Sequence, residues 1–207
     1  MLYKDFSDFF NQNNFDNYQT TVNGTILYCT DKGGHHNYVN RIYNNIFDIK
    51  NRFDKITLVE IGVFTGHSLK LWSDWFTNGN IIGIELNKSK GLPTGDGFNA
   101  LNAIYDFNVI WKDAYVETTV DMFDDNSIDF LIDDGTHELE HQLFTVKKWL
   151  PKLKSGGILL IEDIKNHHDF DLFINAVDRT LSDEFFIMKC IPNPVVQDSN
   201  LFKIIKK

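Results

Sequence analysis

Two adjacent aspartates close an apolar run in the stretch DFLIDDGTHELEHQ, residues 129–142, and a histidine follows three residues later. A hydrophobic core has no use for that grouping, because buried charge is costly unless it is paired or held against a cation. Asp133, Asp134 and His137 are therefore candidates for holding a cation, a proton or a polar ligand. A second acidic pair, Glu162 and Asp163, closes the run GGILLIED. Carboxylates that emerge side by side repel one another unless something cationic sits among them. An all-oxygen donor set suits a hard divalent ion, Mg2+ or Mn2+. The plainer alternative is that these acids are solvated loop residues or helix N-caps. A neutral imidazole beside a cation centre is matched to taking a proton near pH 7. His137 stands out by position and not by type, since the chain also carries His35, His36, His67, His141, His167 and His168.

Three more acids stand where strands are expected to end. VEIGVFTGHS offers Glu60, Gly62 and Gly66, a turn in which glycine lets the backbone bend and a ligand approach. It lacks the G-x-G-x-x-G of a dinucleotide site, and taken alone it could equally be an ordinary strand–helix turn. Glu85, at the end of IIGIEL, can accept from both hydroxyls of a ribose, or it can be a solvated strand-end acid. Asp113, in NVIWKDA, stands where the amino group of an adenine would lie. Acids at three successive strand ends favour an adenosyl ligand such as S-adenosylmethionine, bound outside the carboxyl ends of the strands.

The elements that must position these residues alternate. Short apolar runs at ITLVEIG, NIIGIEL, NVIW, SIDFLID and KSGGILLIED read as strands covered on both faces. Helical spacing follows at Leu69, Trp72 and Phe76, at Leu139, Leu143, Val146 and Leu150, and in FDLFINAVDRTL. The last two runs, EFFIMKCI and SNLFKIIK, have only the turn PNPVVQD between them and should pair antiparallel. Strand–helix alternation of this kind is an α/β pattern with a mainly parallel sheet. The first 50 residues show no clear strand; DFSDFF and the spacing of Tyr38, Ile42 and Ile46 predict helices there.

Size and composition fit one unit. With 207 residues the chain is expected to form a single domain, residues 1–50 a helical N-terminal cover and residues 55–207 the core. A net charge of −9, from 29 acidic and 20 basic residues, argues against nucleic-acid or anionic-membrane partners. No signal peptide or membrane span is evident, and Cys29 and Cys190 lack a paired spacing, so a cytoplasmic protein with reduced thiols is expected. The aromatic-rich first 20 residues are a candidate surface for homo-oligomer formation.

The segments TDKGGHHNY, VEIGVFTGHSLKLW, IDDGTHELEHQ and LKSGGILLIEDI resemble the macrocin and mycinamicin O-methyltransferases and the related cephalosporin-hydroxylase-like proteins, over roughly residues 29–165. The resemblance implies a Rossmann-like class I methyltransferase fold, a mainly parallel seven-stranded sheet with an antiparallel C-terminal edge hairpin. It further implies an S-adenosylmethionine- and metal-dependent enzyme that methylates a sugar hydroxyl on a glycan, nucleotide sugar or glycosylated natural product. By the same resemblance Asp134, Glu162 and Asp163 are the metal ligands and His137 the general base, with Asp133 in support at the adenosyl pocket. Asp31 and Lys32, which match the family's T-D-K segment, would line the cofactor or acceptor site. One departure is the short region ahead of the sheet, where the macrolide enzymes carry a large additional one. The acceptor is thereby left open, and a catechol-type methyltransferase or a non-catalytic adenosyl-binding protein stand as alternatives. A nucleotide-binding oxidoreductase or epimerase is disfavoured by the missing G-x-G-x-x-G and Tyr-x-x-x-Lys signals.

Overall fold

The computed structural model describes residues 3–15, 20–22, 25–27, 30–34, 36–48, 51–86, 102, 105–177, 186–193 and 199–207. Along the chain these form α1 (Phe6–Gln12), β1 (Thr20–Val22), β2 (Thr25–Leu27), a π-helical turn (Val39–Tyr43) running into α2 (Asn44–Ile46), β3 (Thr57–Ile61) and α3 (His67–Trp75). There follow β4 (Asn80–Ile84), β5 (Asn108–Ile110), α4 (Glu117–Val120), β6 (Ile128–Asp133), α5 (Leu139–Lys148), β7 (Leu153–Ile164), α6 (Phe170–Ala176), β8 (Phe186–Ile191) and β9 (Asn200–Lys206).

Seven strands make one mixed, mostly parallel sheet in the order β5-β4-β3-β6-β7-β9-β8. Pairing is parallel for β3–β6 and β6–β7, then antiparallel for β7–β9 and β8–β9. The near-continuous apolar runs behave as the covered strands of such a sheet should: Leu58, Val59, Leu131, Leu159 and Ile161 are all inaccessible. The C-terminal pair is antiparallel as its short connection requires, with Phe186 opposite Lys206.

The chain divides into two compact units. The larger holds Thr57–Gly62, Ile82–Leu86 and Val109–Lys207. Its core joins Val59, Ile84, Leu131, Val146, Trp149, Leu159, Phe173 and Phe202. The Trp149 indole N–H donates to the Ala114 carbonyl at 3.1 Å, so the polar end of this buried ring is satisfied. Helix α5 places Val146 fully inside, with Leu139 and Leu143 packed at the margin; Leu150 follows in a 3-10 turn past the helix end. The same helix also buries Gln142 and Thr145, which the apolar stripe did not foreshadow.

The second unit, Met1–Ile56, Val63–Ile81 and Asn87–Asn108, has an aromatic core. Phe6 sits edge-on to Trp75 at 5.0 Å and to Phe47 at 5.2 Å, and Tyr43 lies 4.9 Å from Trp72. Two expectations for residues 1–50 need correction. β1 and β2 pair antiparallel from Thr20↔Leu27 to Val22↔Thr25, so this region is not wholly helical. Three-residue strands are too short for an alternation signal, which is why sequence periodicity passed over them. The helix expected through Tyr38, Ile42 and Ile46 is present but not regular: Val39–Tyr43 is π-helical and buries Val39, Ile42 and Tyr43, and it runs into α2, where Ile46 is half-buried. Cys29, His35 and residues 87–97 lie outside the described residues, while Cys190 is half-buried. Among the described residues no helix is long and apolar enough to cross a membrane.

Candidate active site

The parallel strands carry the chemistry-bearing residues at their carboxyl ends. β3 ends beyond Glu60, which is fully buried, and hands on to Gly62 at φ +87°. A Cβ on Gly62 would lie 2.1 Å from the Asp134 carbonyl oxygen, so only glycine lets the ends of β3 and β6 approach this closely. The Asp134 amide completes the contact by donating to the Ile61 carbonyl at 2.9 Å. Glu85 follows β4 and accepts from the Leu86 amide at 2.8 Å; Asp113 follows β5 and accepts from the Tyr115 amide at 2.8 Å. Both carboxylates are half-buried and oriented by the backbone beside them.

Adjacent strand residues point to opposite faces, and Asp133 and Asp134 do so with different partners. Asp133 is 1% exposed. Its Oδ1 accepts from the Tyr115 hydroxyl at 2.8 Å and the Gly135 amide at 3.3 Å, and its Oδ2 accepts from the Thr145 hydroxyl at 2.6 Å. With both oxygens committed inside the protein, Asp133 braces the turn, an employment different from the adenosyl-facing one anticipated. Burial raises its pKa, a push opposed by the hydrogen bonds from Thr145, Tyr115 and Gly135. Burial and the adjacent Asp133 charge likewise push the Tyr115 phenol up, so it remains a donor.

Asp134 faces the other way, toward His137 and Asp163. His137 Nε2 lies 3.3 Å from Asp134 Oδ1 and 3.5 Å from Asp163 Oδ2. One donor atom from each of the three residues can be chosen so that all lie within 4.8 Å of one another. His137 stands ahead of α5, which begins at Leu139, and has φ +58°. That left-handed backbone folds the ring back over Asp134. Asp163 also has a positive φ, +52°, and sits where the β7–β9 pairing jumps from Ile161 to Ile164. A bulge of this kind re-aims a strand side chain.

Burial works against a charged His137, yet the Asp134 hydrogen bond and the charges of Asp134, Asp163 and Glu162 outweigh it and push the ring up to about 9. The cluster therefore carries a strong negative field. Glu162 contributes to that field without joining the three close donors; it is 1% exposed, and its carbonyl accepts from Gln142 Nε2 at 3.0 Å. Asp134 and Asp163, with the Glu162 charge beside them and the His137 ring at their edge, fit a hard divalent cation with positions left for other ligands.

The remaining anticipated residues belong to the smaller unit. Gly66 caps α3 at φ +82°. Lys32 is 0% exposed, its ammonium 5.9 Å from the Trp72 ring and 6.0 Å from that of Tyr43. The Asp31 side chain is largely exposed, 3.4 Å from His36 Nε2. Sequence reasoning missed Tyr115, Gln142 and Thr145. Gln142 and Thr145 left a signal, two polar residues in the turns after DDGTH that interrupt an apolar helix; Tyr115 left none.

Comparisons place these features among known proteins. The chain is 26% identical over 144 residues to the 8-demethyl-8-(2-methoxy-alpha-L-rhamnosyl)-tetracenomycin-C 3'-O-methyltransferase of Streptomyces olivaceus, covering 66% of this chain and 35% of that one. It is 26% identical over 152 residues to the 8-demethyl-8-alpha-L-rhamnosyl tetracenomycin-C 2'-O-methyltransferase of the same organism, covering 69% and 37%. The chain thus spans little more than a third of these curated relatives. Its fold is similar to that of the MycE methyltransferase of the mycinamycin biosynthetic pathway, solved with Mg and SAH, with a TM-score of 0.65, 16% identity and coverage of 99% of this chain and 55% of that one. That likeness is one of fold, Rossmann-like and of the class I methyltransferase type. Residues 59–164, more than half of the chain, match the family model described as a methyltransferase domain, and the chain belongs to that family.

Proposed function

We propose that this protein transfers the methyl group of S-adenosylmethionine to a hydroxyl of a sugar carried by a small molecule, with a divalent cation at Asp134, Asp163 and Glu162. The observation that carries the reading is the Asp134–His137–Asp163 constellation at the ends of β6 and β7, with β6 paired directly to the strand that ends in the glycine turn, in a methyltransferase-family chain. Support for a glycosylated acceptor comes from the two rhamnosyl-tetracenomycin relatives.

In this reading the turn at Gly62, beside the buried Glu60, receives the methionine portion of the cofactor. Glu85 accepts from the ribose hydroxyls and Asp113 from the adenine amino group. Asp134, Asp163 and Glu162 would hold the cation, which when bound would supply Lewis acidity to a sugar hydroxyl. His137 Nε2 takes the proton of that hydroxyl. The acids that favour a proton on the ring would be engaged by a bound cation, which would leave His137 Nε2 able to accept one. The oxygen attacks the sulfonium methyl in a single displacement; the C–O bond forms as the C–S bond breaks, leaving S-adenosylhomocysteine. Residues of the chain contribute position and proton removal, without a covalent enzyme intermediate.

A direct test incubates the protein with isotopically labelled S-adenosylmethionine and a panel of rhamnosides and other glycosides, with Mg2+ or with EDTA. Methylated glycoside formed only with Mg2+ is expected. Turnover undiminished in EDTA would remove the cation from the mechanism, and transfer to catechols in preference to glycosides would replace the acceptor class.

A further inference from the structure

Helix α5 bears an apolar stripe on the core, and beside it a second row at Glu138, His141, Gln142 and Thr145, spaced i, i+3, i+4 and i+7. Every member of that row touches a segment that carries a site acid or its neighbour. Thr145 donates to Asp133, the residue before Asp134, at 2.6 Å. Gln142 donates to the Glu162 carbonyl, the residue before Asp163, at 3.0 Å. His141 Nδ1 lies 2.7 Å from Thr136 Oγ1, just before His137, and its ring stacks on Tyr115 at 4.2 Å and 8°. Glu138, which caps the helix, accepts from Lys165 at 2.9 Å, two residues past Asp163.

Two of these are deeply buried, Gln142 at 3% and Thr145 at 0% exposure. Polar groups in such places cost stability unless fully bonded, and leucine or valine would serve a core equally well. The gain lies in geometry. β6 and β7 end in backbone conformations that do not hold themselves: His137 and Asp163 both have positive φ, and β7 is bulged at Asp163. Asn200 Nδ2 grips the far side of that bulge at the Ile164 carbonyl, 2.8 Å away, as Gln142 grips the near side. On the β6 side the Tyr115 hydroxyl fills the turn so closely that a Cβ on Gly135 would lie 2.1 Å from it. Such outer partners are what orient first-shell ligands of a cation.

We infer that the polar row of α5 is a template for the cation site, with Gln142 and Thr145 as positioning residues that set Asp163 and Asp134 against His137. The inference rests on the cation reading of that site. Neither residue contacts the reacting atoms; each acts through the backbone or carboxylate it holds.

Mn2+ serves as the probe, its free ion counted by electron paramagnetic resonance as it is titrated into the full chain stripped with EDTA. Thr145→Val and Gln142→Leu should weaken Mn2+ binding about 10–100-fold. Thr145→Ser, which keeps the hydroxyl, should restore wild-type affinity. Leu143→Ala, on the apolar side of the same helix, should lower stability to urea while binding Mn2+ as wild type does. If Gln142→Leu does not fold, Gln142→Met and the Thr145 pair carry the comparison. Wild-type affinity in both Thr145→Val and Gln142→Leu would overturn the template and leave the cation reading standing. Equal loss in Leu143→Ala would also overturn it, by making the effect one of general loosening. Absence of Mn2+ binding in the wild type would remove the cation reading and the template with it.

Discussion

Raising the pH should unfold the cation-free protein preferentially through one residue. His137 is pushed up to about 9 by its three acidic neighbours against the cost of burial. A folded-state value above the unfolded one, about 6.5, means the protonated ring stabilises the fold fully below that lower value, and the contribution disappears as pH climbs through about 9. At about 1.4 kcal/mol per pH unit, the rise from about 6.5 to about 9 sets a ceiling of roughly 3.5 kcal/mol. The His137 side chain is 33% exposed, so solvent screening reduces this to about 1–2 kcal/mol. The physical content is simple: once the ring loses its proton, Asp134, Asp163 and Glu162 lose the positive charge it holds among them. Urea unfolding in EDTA, at about pH 6 and about pH 9.5, measures the effect in wild type and in His137→Gln. The variant cancels contributions from other titrating groups. Wild type should lose about 1–2 kcal/mol more than the variant between the two conditions. Parallel losses in the two proteins would refute the idea that the acids hold that proton.

Other consequences are quicker to check. Gly62→Ala should cost about 3 kcal/mol or more in urea unfolding, because the left-handed backbone and the 2.1 Å approach to the Asp134 carbonyl act together; a loss under about 1 kcal/mol would show that β3 and β6 can separate cheaply. Lys154→Met should cost only about 0.5–1 kcal/mol, since its ammonium shares Asp129 with the Thr57 amide at a half-exposed site; a larger loss in the same assay would mean the pair holds β6 to β7. His137→Ala should lower turnover of the Mg2+-loaded enzyme about 10²–10⁴-fold with S-adenosylmethionine affinity unchanged, and undiminished turnover would dismiss it as the base.

Much of the sheet can be read from sequence because its central strands are buried on both faces. Apolar runs such as TLVEI and IDFLID have no alternative use at that length, and glycine or an acid marks where each stops. The two acidic pairs are legible for the same reason: carboxylates next to a buried run announce an edge where charge can be met. What sequence does not show is the backbone sign change that gathers them. Nothing in the types of His137 and Asp163 signals a positive φ, so neither the fold-back of the ring nor the β7 bulge can be read from them. Asp133 and Asp134 are indistinguishable by type, and only the pleat, with Tyr115 arriving from 18 residues away, decides which is the brace and which faces His137. The β1–β2 pair escaped because three residues carry too little pattern.

Calorimetric titration of S-adenosylmethionine into EDTA-stripped protein, and then of Mg2+ into the complex, tests the account most directly, with Asp134→Asn alongside wild type. Wild type should bind both, and the variant should bind the cofactor alone. Cofactor binding with no response to Mg2+ in the wild type would contradict the cation site, and binding of neither would contradict the methyltransferase site itself.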